Sequence, residues 1–166
     1  MSADVFEYDG VGVAMRSDVL LIVYAAEARV HRSRWIFDRA DEVAARCSRF
    51  YCLLIVETKQ GLPDAATRAE NAVRLRRLDR KVGVLVMVPL GDPLQVILLK
   101  AILRAMVLVL GEPSRHQVAD DELDGIDRLR RAMGERAPSR DQLQDDLDAL
   151  RAVLGGGSAT EHANAY

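Results

Sequence analysis

A chain of 166 residues with 49% hydrophobic and 29% charged content can close one domain around a real core, which excludes a disordered polymer. A formal net charge of −2 excludes a polycationic nucleic-acid binder and leaves only a local basic patch for such a role. The opening MSADVFEYDG is acidic and does not follow the basic-then-apolar pattern of a secretory signal, so the expected location is cytoplasmic.

In chain order, Val11, Val13 and Met15 alternate with Gly12, Ala14 and Arg16, a period of two that predicts an edge strand. Ser17 and Asp18 signal a turn. VLLIVY, residues 19–24, is a continuous apolar run expected as an inner strand, and the short link predicts an antiparallel hairpin. A helix is expected over 28–47, with Ile36, Ala40, Val43, Ala44 and Cys47 on one buried face. Trp35, flanked by Arg32, Arg34 and Arg39, should be part-buried on it. FYCLLIVE, 50–57, reads as a second inner strand.

The spacing predicts a helix over 64–80, capped by Asp64, with Ala69, Ala72, Val73, Leu75 and Leu78 as its apolar side. VGVLVMV, 82–88, is the third inner strand. Pro89, Gly91 and Pro93 break the chain before an apolar helix over 94–110, which Gly111 and Pro113 end. Residues 116–118 read as a short edge strand and 121–133 as the last helix of a domain spanning 1–133. A linker is expected at 134–139. Ser139 and Gln142 then form a capping-box pair opening an amphipathic helix over 140–154, with Leu143, Leu147, Leu150 and Leu154 on one side. Residues 155–166 read as a flexible, disordered tail.

Strand–helix–strand units require crossovers, so the three inner strands should be mutually parallel. The expected fold is therefore α/β: a mixed sheet with parallel inner strands, an antiparallel N-terminal hairpin edge, and packed helices. The apolar helix over 94–110 is close to spanning length. Lys100 and Arg104 lie in its middle, where each would cost about 2.5–3.5 kcal/mol in lipid, so it reads as a buried helix and no membrane span is expected. This helix and the leucine side of 143–154 carry more apolar surface than one sheet face covers, which predicts a homodimer with one of them at the interface. Cys47 and Cys52 lack a His or Cys at ligand spacing and read as reduced core residues, with no metal site and no cofactor implied.

The stretch from LLIVETKQGLPDAATRAENAVRLRRLDRKVGVLVMVP to LRAMVLVLGEPSRHQVADDELDGIDRL resembles the STAS domain, the fold of bacterial anti-sigma-factor antagonists. It also resembles small stand-alone STAS-like proteins of myxobacteria and related bacteria. The likeness lies in an apolar strand ending in Glu57, a Pro63/Asp64-opened helix, another apolar strand and an Arg-containing apolar helix. The resemblance implies a regulatory protein-interaction module whose loop and helix, here 57–80, form the recognition surface. It also implies a Ser or Thr, phosphorylated by a partner kinase, at the start of that helix. Here Ala65 and Ala66 occupy the matching turn, Thr58 precedes it and Thr67 follows it, so Thr67 is the candidate phosphosite.

The candidate partner-binding residues are thus Glu57, Thr58, Lys59, Asp64, Thr67, Arg68, Arg74, Arg76 and Arg77. The cluster Arg68, Arg74, Arg76, Arg77, Arg80 and Lys81 would attract an acidic protein partner, and without interleaved aromatics it does not read as a nucleic-acid surface. Two other functions remain open. One is a carrier or sensor of an apolar small molecule held between sheet and helices. The other is a small enzyme using the strand-end rim at Glu57, with His31 near the previous strand's end, where open α/β sheets place their chemistry. No nucleophile–base order, metal spacing or Gly-rich phosphate loop accompanies that rim, so no catalytic residue is assigned.

Overall fold

The computed structural model describes residues 3–57, 63–110 and 112–157. Among these, one six-stranded sheet runs in sequential order. Its strands are β1 (Asp4–Tyr8), β2 (Val11–Arg16), β3 (Val19–Tyr24), β4 (Phe50–Glu57), β5 (Val82–Leu90) and β6 (His116–Val118). The helices are α1 (Val30–Arg46), α2 (Ala65–Leu78), α3 (Pro93–Leu110), α4 (Glu122–Met133) and α5 (Arg140–Gly157). β1, β2 and β3 are antiparallel, and β3 through β6 are parallel. The expected mixed α/β sheet with parallel inner strands is therefore the fold.

The N-terminal edge differs in one respect. β2 was expected at the edge, yet Val11 to Met15 are all buried, because β1 covers it. The turn between them, Asp9 (φ 49°) and Gly10 (φ 78°), uses the left-handed conformations that an Asp-Gly pair supplies at low cost.

Side-chain alternation divides the core into two layers. On one side Leu21, Val23, Leu53, Ile55, Val84, Val86 and Val88 pack against Ile126 and Leu129 of α4 and Leu143, Leu147 and Leu150 of α5. On the other, Leu20, Ile22, Phe50 and Cys52 meet Ile36, Ala40, Val43 and Ala44 of α1 and Leu78 of α2. A separate cluster on that side joins Met87 to Leu99, Leu103 and Val107 of α3. The parallel strands step in one direction across the sheet, so right-handed crossovers place α1, α2 and α3 on the same face.

Caps close the helices as their residue types dictate. Asp64 accepts from Thr67 N at 2.7 Å and Asp121 accepts from Asp124 N at 2.8 Å. Ser139 and Gln142 form the reciprocal box, at 2.9 Å and 3.1 Å. Residues 134–136 form a short 3-10 turn, and Ala137 packs against the α4–α5 core. α5 continues beyond the expected Leu154 to Gly157. Cys52 is buried, which pushes its thiol up to about 12; burial also raises the half-buried Cys47. Among the described residues, no helix is long and apolar enough to cross a membrane.

Candidate docking surface

α2 begins where the β4 strand end and its loop present a Pro63–Asp64 start. The Thr67 N–H bond holds the Asp64 carboxyl below the usual carboxylate range, and Arg68 Nη1 donates to Pro63 O at 2.6 Å. The helix then departs from its expected orientation. Ala69, Ala72 and Val73 were assigned to the buried side, but all three are exposed, Val73 by 67%. Of the expected apolar side, Leu78 is buried and Leu75 half-buried.

The reason is a ladder of ion pairs along α1. Arg34 Nε lies 3.1 Å from Glu70, Arg74 reaches Glu70 at 3.0 Å and Asp38 at 3.1 Å, and Arg77 pairs with Asp41. These pairs turn the charged side of α2 toward α1 and its alanine side outward. They also hold the Glu70 carboxyl below its ordinary range, through Arg34 first and Arg74 second.

The sequence-derived partner residues therefore separate. Arg68 and Arg76 are exposed on the outer side of α2, beside Ala65, Ala69, Ala72 and Val73. Among the described residues Arg76 has no acidic partner. Arg74 and Arg77 are engaged with α1. Thr67 is fully buried, so it does not belong to the accessible surface, and a kinase could reach it only if the first turn of α2 opened. Glu57 follows Tyr51, Leu53 and Ile55 in the alternation of β4, which puts it on the α4–α5 side, opposite α2. There its charge helps raise the Arg151 guanidinium of α5, after Glu122. Thr58 and Lys59 lie outside the described residues. His31 is exposed and paired with Asp9 at 2.9 Å, in a cluster with Arg32. Trp35 is half-buried and stacks on Tyr8 at 5.6 Å between ring centroids, with the Arg39 guanidinium 5.9 Å from its ring.

A second exposed surface lies on α3. Leu99, Leu103 and Val107 face the sheet. Leu94, Ile97, Leu98 and Leu108 point outward, 78%, 66%, 54% and 77% exposed. The high apolar content of 94–110 hinted at this stripe without placing it. Between α3 and β6 is an open hollow of about 220 Å³, lined by Arg104, Val107, Leu108, His116 and Val118. His116 is almost wholly buried; its Nδ1 faces Glu112 O at 3.3 Å and its Nε2 is 3.6 Å from Asp79. Sequence reading missed this histidine, because a three-residue edge strand gives no pattern that reveals burial. No group of three or more His, Cys, Asp or Glu side chains among the described residues is placed to hold a metal ion.

Comparison of the chain with family models, with characterised proteins and with solved structures finds no match.

Proposed function

We propose that this chain is a regulatory protein-interaction module of the STAS-like kind, acting by docking an acidic protein partner rather than by catalysis, in a bacterial cytoplasm and as a homodimer. The observation that carries the reading is the outer side of α2. Ala65, Ala69 and Ala72 make a shallow apolar strip that lets another backbone approach closely, and Arg68 and Arg76 stand exposed along it. Cations of this kind steer an oppositely charged partner and set its association rate more than its final affinity. The ladder along α1 narrows the docking cations from those of the whole helix to Arg68 and Arg76.

The test is Arg68→Glu combined with Arg76→Glu. Proteins captured from the native cells by the wild type should be lost from this variant and kept by Arg131→Glu, which reverses an exposed charge on α4. Association with a captured partner should slow most at low salt. Unchanged capture and unchanged association rate by the double variant would remove the docking reading.

One observation favours a second function, the carrier or sensor. The hollow beside Leu108 and Val118 joins apolar walls to His116 and Arg104, a lining suited to the head of a small aliphatic carboxylate. Its volume is below the roughly 300–1,000 Å³ of ordinary ligand sites, which ranks it second.

A further inference from the structure

We infer that the outward face of α3 is the two-fold interface of the homodimer, with the α3 helices of two copies packed antiparallel. This rests on the homodimer in the reading above and assigns its contact surface, which is separate from the α2 docking strip.

The outer side of a solvated surface helix is ordinarily polar. On α3 the side facing away from the sheet carries Leu94, Leu98, Ala101, Ala105 and Leu108, all exposed. Four large aliphatic side chains of α3, Ile97 included, are each more than half exposed. Together they reach the size of the largest apolar patch on a typical monomer, about 300–600 Å².

The spacing identifies what covers it. The steps from Leu94 to Leu98, Ala101, Ala105 and Leu108 are four, three, four and three residues. That is the heptad seam of one helix lying along another, and its period of about 3.5 keeps the stripe facing its partner over about 21 Å. The stripe is also self-complementary about its middle. In an antiparallel pair, Leu98 of one copy meets Leu108 of the other, and Ala101 meets Ala105. The alanine pair lets the axes approach to the short end of the usual range, about 8 Å, while the leucines close the flanks. Antiparallel alignment also opposes the helix dipoles favourably.

The charges fit the same occupant. Lys100 Nζ is turned to Asp120 at 3.1 Å, and Arg104 lies 3.9 Å from the same carboxylate. Both cations therefore have a counter-ion at the rim of the stripe within their own chain. Asp92, exposed at the start of the helix, would repel an anionic lipid surface. The leucine side of α5, the other helix expected at an interface, is spent within the chain: Leu143, Leu147 and Leu150 are 0% exposed.

The area is at the low end for a stable interface, about 1,200 Å² in total, so the dimer should dissociate in the micromolar range. Sedimentation equilibrium of the full chain should show monomer passing to dimer across that range. Leu98→Glu with Leu108→Glu should weaken pairing at least tenfold while leaving the melting curve of the dilute, monomeric protein unchanged, because both side chains are exposed in the monomer. Val73→Glu, an equally exposed change on α2, should keep the wild-type mass. Mixed oxidation of Ala101→Cys with Ala105→Cys chains should cross-link above the wild-type background of Cys47 and Cys52, and Ala101→Cys alone should not. The assignment is overturned by a wild type that stays monomeric at high micromolar concentration, with or without binding to phosphatidylglycerol vesicles. It is equally overturned by a dimer indifferent to the glutamates, and the antiparallel pairing by cross-linking of Ala101→Cys with itself. None of these outcomes touches the Arg68/Arg76 docking test.

Discussion

On the α4–α5 face of the sheet, Ile126, Leu129, Leu143, Leu147 and Leu150 are wholly buried, whereas on the opposite face Leu94, Leu98 and Leu108 of α3 stand more than half exposed. Both faces rest on the same strands, so the difference belongs to the helices. α4 and α5 each turn a full apolar stripe to the sheet, and their one buried charge, Asp146, is paired with Arg16 of β2 at 2.6 Å. α1 and α2 meet each other largely through ion pairs, and α2 and α3 leave apolar residues outside. The first face stabilises the chain; the second keeps apolar side chains on its outer surface, where the proposed contacts lie. Stability and binding should accordingly respond to different substitutions.

The largest effect should fall on the closed face. Leu147→Ala removes a wholly buried side chain from between α5 and the sheet. It should cost about 2–5 kcal/mol in urea unfolding, the range for such cavities, whereas Leu98→Ala should stay within about 0.5 kcal/mol. Equal losses would erase the distinction between the faces. Next in size is Gly125→Ala. An added Cβ would lie 2.6 Å from Val88 Cγ2 and 3.1 Å from Leu53 Cδ1, where α4 presses on the sheet. Overpacking of this kind should lower stability by about 1–3 kcal/mol, read in the same unfolding assay.

How far each face could be read in advance follows from the strength of its signals. The three inner strands were legible because continuous apolar runs such as VLLIVY have no other stable place than a doubly covered sheet. The caps at Asp64, Asp121 and Ser139–Gln142 were legible because a short polar side chain at a helix start has one local task. β1 was missed: DVFEY is a short edge strand with two acidic residues among five, and its pairing is decided by β2 rather than by its own content. The orientation of α2 was misread because Ala69, Ala72 and Val73 have little apolar area, too little to compete with three ion pairs to α1 and the burial of Leu78. Glu57 was grouped with α2 by nearness in sequence. The parity of Tyr51, Leu53, Ile55 and Glu57 along β4 would have placed it on the other face.

A smaller effect separates the faces by pH. Glu122 of α4 accepts from Gln144 at 2.9 Å and pairs with Arg151 on α5. Burial alone would raise its carboxyl, but the bonds from Arg151 and Gln144 outweigh burial and hold it below the ordinary 4.5. A folded-state value depressed below the unfolded one gives stability that is present above about 4.5 and is lost as pH falls through the lower folded value. Glu122→Gln should therefore lower stability at pH 7 by about 1.5 kcal/mol, the low end of the worth of hydrogen bonds to a charged group. The gap from the wild type should close as denaturation is repeated toward pH 3. A gap independent of pH would mean that the pair acts through packing and not through its charge.

The smallest stability effect belongs to the ladder between α1 and α2. The Arg77 side chain is 58% exposed and its partner Asp41 is 37% exposed. Water screens such a pair, and ordering two long side chains opposes it, so Arg77→Ala should change stability by less than about 1 kcal/mol. Most of that change should vanish in 1 M salt, where the screening length is about 3 Å. Its neighbour Arg76 gives the contrasting case, one residue further round the helix and with no acidic partner among the described residues. Arg76→Ala should leave the unfolding curve unchanged at any salt concentration and slow association with the proposed partner at low salt. Arg77→Ala should do the reverse, with a small salt-sensitive loss of stability and an unaltered association rate. If both substitutions slowed association equally, the cations of α2 would act as one undivided patch, and the ladder would orient the helix without selecting which charges a partner meets.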